Sequence, residues 1–175
     1  MKILVVNKTT NLDLFGEQLR KPVASGQVDK RHLDRLQTSH DQHLATKEKL
    51  LTLLDKASLP YTVVARGLFW PSLKGVRAVV TIGGDGTVLE ASHHIRTEEI
   101  PVIGIRSSQM SVGHLCAVDA SKLEVLVERI REDVLTATCV RRLQATVTDA
   151  QTGNKIESDP ILNDFLFCNS NPAAT

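Results

Sequence analysis

The run Val79-Val80-Thr81-Ile82-Gly83-Gly84-Asp85-Gly86-Thr87-Val88-Leu89 places an apolar, strand-like stretch directly before a glycine cluster and a helix-like stretch directly after it. That is the order a phosphate cradle needs. Gly83, Gly84 and Gly86 carry no Cβ, so they tolerate backbone angles closed to other residues and let a phosphate approach the amides. Thr87 is placed to cap the helix after it, whose unpaired N–H groups favour an anion. Asp85 is the informative residue, because a carboxylate in a phosphate site repels the ligand unless it has another task. Two tasks fit: holding Mg²⁺ through its water shell, or accepting a proton from a hydroxyl that attacks a phosphoryl group. Both belong to kinase chemistry. The bland alternative is a tight strand-to-helix turn with Asp85 as its cap. The Gly-Lys-Ser/Thr ending of a P-loop is absent.

Other polar residues carry weaker signals. Asn163 and Asp164 are adjacent, so in a regular strand they face opposite sides and one of them reaches a given pocket unless a bulge intervenes. His40 and His43 lie one turn apart on a helical pattern, and His93 and His94 are neighbours; structural or solvated roles are expected for all four. His114 suits a ligand contact and a plain loop equally. Lys8 and Arg141-Arg142 are positioned where a phosphate contact or a solvated surface would both serve. Cys116, Cys139 and Cys168 are odd in number and widely spaced, which points to reduced, packed thiols rather than to disulfides or a zinc site.

The elements that would position the glycine turn can be read from periodicity. Lys2 to Asn7 is an apolar, β-branched-rich run, as in a parallel strand buried on both faces. Lys8 to Gln27, with breakers Pro22 and Gly26, reads as a loop. From Asp29 a long amphipathic helix is expected, with Leu33, Leu36, His40, Leu44, Lys47, Leu51 and Leu54 three or four residues apart. Strands are expected at Tyr61 to Ala65, Arg77 to Ile82 and Pro101 to Ile105, and helices at Val88 to Ile95 and Ser121 to Arg131. Alternating strands and helices predict an α/β fold: a Rossmann-like parallel sheet with flanking helices over residues 1–135. Residues 136–175 read as the beginning of a β-rich second domain, with strands at Val140 to Asp149 and Ile161 to Cys168 and a turn at Gln151 to Asn154. Two or three strands make a poor independent sheet. A continuation beyond Thr175 or a partner chain is therefore expected to cover it.

Composition narrows the class. With 42% hydrophobic and 23% charged residues the chain is an ordinary globular one rather than a disordered one. Twenty-one Lys and Arg against 20 Asp and Glu give a net charge of +1, which offers no general attraction for nucleic acid. The apolar N-terminal stretch is too short for a signal peptide, and no run approaches the roughly 18 apolar residues of a membrane span. A cytoplasmic location with no membrane partner is the expectation.

Gly83-Gly84-Asp85-Gly86-Thr87 resembles the signature shared by NAD kinases, diacylglycerol and sphingosine kinases and related phosphofructokinases. Pro101-Val102-Ile103-Gly104-Ile105 with Gly113-His114-Leu115-Cys116-Ala117 after it is similar to the NAD kinase segment beyond that signature. The spacer Arg106 to Val112 resembles the longer version of the NADH-preferring, mitochondrial-type branch. Asn163-Asp164 resembles the Asn-Glu or Asn-Asp pair of NAD kinases, and Asn171-Pro172-Ala173-Ala174 resembles the residues after that pair in the same branch. The resemblance implies Mg²⁺-dependent transfer of a phosphoryl group from ATP to the 2′-hydroxyl of the adenosine ribose of NAD or NADH. It implies Asp85 as the base, Gly86 against the dinucleotide, and Asn163 and Asp164 on the nucleotide's polar edges. Partners would be small-molecule nucleotides and, from the family's tendency to assemble, further copies in a homo-oligomer. The family pattern departs here at Ala117 and Val118, where an aromatic residue is common, and beyond Thr175, where a Gly-Ser-Thr segment belongs. The readings that compete with it are a lipid or sugar kinase with the same signature, and a non-catalytic nucleotide-binding fragment.

Overall fold

The computed structural model describes residues 2–27, 29–67, 70–97 and 99–165. The sheet begins with β1 (Lys2–Asn7), whose four central residues are all buried. It pairs in parallel with β2 (Tyr61–Ala65) on one side and β3 (Val76–Gly83) on the other. Strands β4 (Val102–Arg106) and β5 (Val118–Asp119) extend the same parallel sheet in the order β2-β1-β3-β4-β5. From Ala78 to Gly83 every residue of β3 is buried, because helices cover both faces. That is why the central strands read as continuous apolar runs.

One face carries Ile3, Val5, Ala78, Val80, Ile82, Ile103 and Ile105 against α2 (Lys30–Lys56) and α4 (Leu123–Glu132), through Leu50, Leu54, Leu126 and Ile130. Leu4, Val6 and Val79 face the other way, against Ala91 of α3 (Asp85–His93) and Ile95 beyond it. Burying one such leucine or isoleucine stabilises the fold by about 2 kcal/mol. The chain leaves β1 in one direction, to β2, and leaves β3 in the other, to β4, so α2 and α3 fall on opposite faces. The carboxyl ends of β1 and β3 therefore splay a crevice between two outgoing connections, the topological switch point at which open α/β sheets bind ligands.

Several expectations need correction. Residues 8–27 are not a loop, for Asn11–Ala24 forms a helix, α1. Its start is a reciprocal capping box: Asp13 N–H donates to Thr10 Oγ1 (3.2 Å) and Thr10 N–H donates to Asp13 Oδ2 (3.0 Å). On α2 the buried residues are His43, Thr46, Leu50 and Leu54. Leu44 is instead 45% exposed, because the buried stripe runs one position earlier along that part of the helix. Asp29 does cap α2, its side chain accepting from Arg31 N–H. Helix α3 starts at Asp85 rather than Val88, and α4 at Leu123, after a 3₁₀ turn at Ala120–Lys122 capped by Asp119. Strand β5, two residues long, escaped the sequence reading.

The chain divides into two compact units, Met1–Ala137 and Thr138–Thr175. In the second, β6 (Thr146–Thr148) pairs antiparallel with β7 (Lys155–Glu157). The strand expected at Ile161 to Cys168 is not formed in its described part, where Ile161 makes an isolated bridge to Leu143 and 162–165 are not strand. The hairpin closes on the segment directly after its turn, at Lys155–Glu157, and the ladder is interrupted around Pro160, which has no N–H to donate, resuming only as the single Leu143–Ile161 bridge. Residues 166–168 of that expected strand, Cys168 and the Asn171 to Ala174 segment lie outside the described residues. Cys139 is exposed rather than packed, and Cys116 is half-buried. Among the described residues no helix is long and apolar enough to cross a membrane.

Candidate functional site

The crevice predicted by the strand order is present. A cleft of about 280 Å³ opens at the carboxyl edge of the sheet, lined by Lys8 after β1, Arg66 after β2, Gly84 to Thr87 after β3, and Ser111 and Val112 after β4. Gly83, Gly84, Asp85, Gly86 and Thr87 are thus brought together as the sequence suggested, Gly83 being the last, buried residue of β3.

Of the two properties expected of the glycines, unusual backbone angles are not used. None of the three has a positive φ; what they supply is room. A Cβ on Gly83 would lie 2.2 Å from Thr87 Oγ1. One on Gly84 would lie 3.0 Å from Ser111 Oγ, and one on Gly86 3.4 Å from the Arg66 guanidinium. Any side chain here would meet the walls of the cleft. Gly104 in β4 works similarly: its Cβ would meet Val88 at 2.7 Å and the backbone of Leu115 and Cys116 at 2.9 Å. Its absence lets the Gly113 to Ala117 loop lie down beside α3.

That loop fixes the carboxylate. Leu115 N–H donates to Asp85 Oδ1 at 2.7 Å, and among the described residues Oδ2 has no hydrogen-bond partner. Asp85 is half-buried and lines the cleft. Burial, and after it the charge of Asp85, raises the pKa of the Cys116 thiol, which keeps it protonated beside the site. Thr87 is not the helix cap. The cap position is Gly84, and Thr87 lies within the first turn, its N–H already bonded to the Gly84 carbonyl at 2.9 Å. Its hydroxyl is buried with no hydrogen-bond partner among the described residues.

The charges around the cleft favour an anion. Burial and then the neighbouring Arg66 lower the pKa of Lys8, and no carboxylate pairs with it among the described residues. Arg66 is paired with Glu90, which also accepts from Gly67 N–H at 2.7 Å. A larger cavity, about 400 Å³, lies beside α2, but both its cations are matched: Lys49 by Glu124 at 2.9 Å and Arg106 by Asp119 at 3.7 Å. The smaller cleft has the unmatched positive charge, the amides at the start of a helix and the free carboxylate oxygen.

Asn163 and Asp164 are exposed and lie in the second unit, outside any strand. His114 is exposed, and His94 stacks on Trp70 with ring centroids 4.3 Å apart. His40 Nδ1 meets Thr10 Oγ1 at 2.8 Å, tying α2 to the start of α1. Arg66 was missed in the sequence, although a basic residue closing a strand directly before a glycine was a usable signal. His43, expected to be structural or solvated, is buried and meets Ser107 in the loop after β4. Among the described residues no cluster of three or more His, Cys, Asp or Glu side chains could hold a metal ion.

A doubly wound parallel sheet with a glycine turn, a carboxylate and unmatched cationic charge at its switch point defines a class: an α/β protein with a polar crevice where such folds bind ligands. Residues 34–134 match the ATP-NAD kinase N-terminal domain, and the chain belongs to that family. It is 26% identical over 148 residues to the Oryza sativa subsp. japonica protein named "Probable NADH kinase", covering 75% of this chain and 44% of the relative. It is 30% identical over 94 residues to the NADH kinase of Arabidopsis thaliana (45% and 29% covered) and 32% over 91 residues to the NAD kinase of Desulfatibacillum aliphaticivorans (52% and 31%). The chain thus spans less than half the length of these curated relatives.

Proposed function

We propose that this chain is the phosphate-binding part of an NAD(H) kinase, which transfers the terminal phosphoryl group of ATP to the 2′-hydroxyl of the adenosine ribose of NAD or NADH. The observation that carries the reading is the carboxylate of Asp85, which lines the cleft and is held by the Leu115 amide through one oxygen while the other has no hydrogen-bond partner among the described residues. Asp85 Oδ2 accepts the hydroxyl proton as the ribose oxygen bonds to phosphorus. The phosphorus–oxygen bond to ADP breaks, and ADP leaves. Lys8, Arg66 and the first amides of α3 neutralise phosphate charge, which is most of what phosphoryl transfer asks of a protein.

Mg²⁺ would be held here chiefly by waters and substrate phosphates, with Asp85 reaching it through the ion's water shell, because the oxygen of Asp85 left unpartnered by Leu115 serves as the base. When bound, it would neutralise charge on the phosphates. The exposed pair Asn163 and Asp164 would bind the polar edges of the nucleotide, and residues 136–175 would begin the β-rich nucleotide-binding domain. The resemblance of that pair to the family's motif and the short span of the chain against its relatives support this assignment.

The test is product analysis after incubation with ATP and Mg²⁺, with NAD, NADH, diacylglycerol and sphingosine offered side by side. Formation of NADP or NADPH is the expected result. Phosphorylation of a lipid instead would replace this reading with a lipid kinase.

A further inference from the structure

Helix α2 does more than cover the sheet. His43, only 2% exposed, points its Nδ1 at Ser107 Oγ, 2.8 Å away, just beyond the end of β4. Ser107 Oγ donates in turn to the Gly83 carbonyl at 3.3 Å, and Ser107 N–H donates to the same carbonyl at 2.9 Å. A hydroxyl has one proton to give. Only a ring protonated on Nδ1, with a bare Nε2, lets Oγ accept from His43 and still give its proton to Gly83, and that is the tautomer we assign. Nε2 is buried and has no hydrogen-bond partner among the described residues, so the opposite tautomer would leave a buried N–H donor unsatisfied there. Burial, then Lys8 and Lys47, lower the pKa of His43 to about 4, so the ring stays neutral near neutral pH. The same helix holds the loop at another point: Gln42 Oε1 accepts from Ser108 Oγ (3.1 Å) and Gln109 N–H (3.0 Å), while Thr46 Oγ1, which gives its proton to the Gln42 carbonyl at 2.7 Å, lies 3.3 Å from Ser107 O.

The consequence lies on the far side of one peptide bond. In a trans peptide the C=O and the next N–H point in opposite directions, and none of the described peptides is cis. With the Gly83 carbonyl drawn toward β4 by two donors, the Gly84 N–H is turned toward β1, β3 being flanked by those two strands. Lys8 and Gly84 both line the cleft on that side.

We propose that His43 is a positioning residue which, through Ser107, locks the Gly83–Gly84 peptide so that the Gly84 amide faces the phosphate in the cleft. The proposal rests on the nucleotide-phosphate reading of that cleft. The ring touches no ligand; it acts through the serine. The effect is a preorganised donor, which costs no reorganisation when the anion arrives.

The experiment compares the wild-type chain with Ser107→Ala, His43→Leu, His43→Asn and the Ser107→Ala/His43→Leu double variant. Thermal unfolding first establishes that each is folded. Calorimetric titration with ATP gives affinity, and the ¹⁵N–¹H cross-peak of Gly84 gives the state of the amide with and without ATP. Ser107→Ala and His43→Leu are each expected to weaken ATP binding about tenfold and to displace the free-state Gly84 cross-peak. The double variant should be no weaker than Ser107→Ala, because the two residues act in series. His43→Asn keeps a donor near the Nδ1 position and should restore both readouts, which a mere space-filling role for the ring would not predict. Variants that bind ATP like the wild type with an unmoved Gly84 cross-peak overturn the proposal. Wild-type protein that binds no ATP overturns the nucleotide reading instead, and the free-state cross-peaks still decide whether His43 and Ser107 set the Gly84 amide.

Discussion

Val5 and Val80 sit opposite each other across β1 and β3 and expose none of their surface, whereas Val147 and Ile156, opposite each other across β6 and β7, are 52% and 73% exposed. Both are apolar cross-strand pairs. The first is fixed by what covers it, helices on both faces, so a one-residue slip would move a whole set of side chains between two cores. The second is held by local chemistry: Asp149 Oδ1 accepts from Gln151 and Thr152 N–H at 2.8 Å, and Gly153 turns the chain with φ +71°. No described residue of 138–165 is buried. The Met1–Ala137 unit carries its own core, which is why it can hold amides and a carboxylate still at its carboxyl edge. The hairpin has turn geometry but no core among its described residues.

The contrast can be broken most forcefully in the core. Leu54, fully buried, should cost about 2–5 kcal/mol of unfolding free energy when changed to alanine, as measured by denaturant titration. A loss below about 1 kcal/mol would mean that α2 is not a fixed part of the core.

A somewhat smaller effect comes from pH. His43 is neutral in the fold, with its pKa lowered from 6.5 to about 4 by burial first and by Lys8 and Lys47 next; Asp13 opposes this and His40 adds to it. The unfolded chain therefore binds a proton that the folded chain does not. The stabilisation is complete above pH 6.5 and lost as pH falls through about 4, an expected decline of about 2–3 kcal/mol attributable to this residue. In His43→Asn that part of the decline should vanish. An identical pH profile would show that the ring is not held neutral.

The smallest effect is expected in the hairpin. Ile156→Ala should change unfolding free energy by less than about 0.5 kcal/mol in this chain. A loss of about 2 kcal/mol would reveal a cover for that strand and dissolve the contrast.

What the sequence disclosed divides along the same line. Strands β1, β3 and β4 were legible because burial on both faces leaves uninterrupted apolar runs, the edge strand β2 because Pro60 leads into a β-branched run although none of its residues is buried, and the glycine turn because strand, glycines and helix are contiguous. Helix α1 was not, since its polar composition and Pro22 hide a signal that was nonetheless present, Thr10 three residues before Asp13. The buried stripe of α2 was misjudged for a related reason. Gln42 and His43 are polar, and apolar periodicity cannot announce side chains placed to hydrogen-bond a distant loop. Arg66 and Leu115 reach the site from separate connections, and proximity of that kind is set by the sheet order rather than by spacing along the chain.

The most direct test compares wild-type protein with Asp85→Asn for conversion of NAD or NADH to its 2′-phosphate with ATP and Mg²⁺, while ATP affinity is measured in parallel. Turnover should fall about 10²–10⁴-fold with ATP binding retained, as for a lost general base. Equal turnover in the two proteins would contradict the account, because the carboxylate facing the cleft would then have no part in the chemistry.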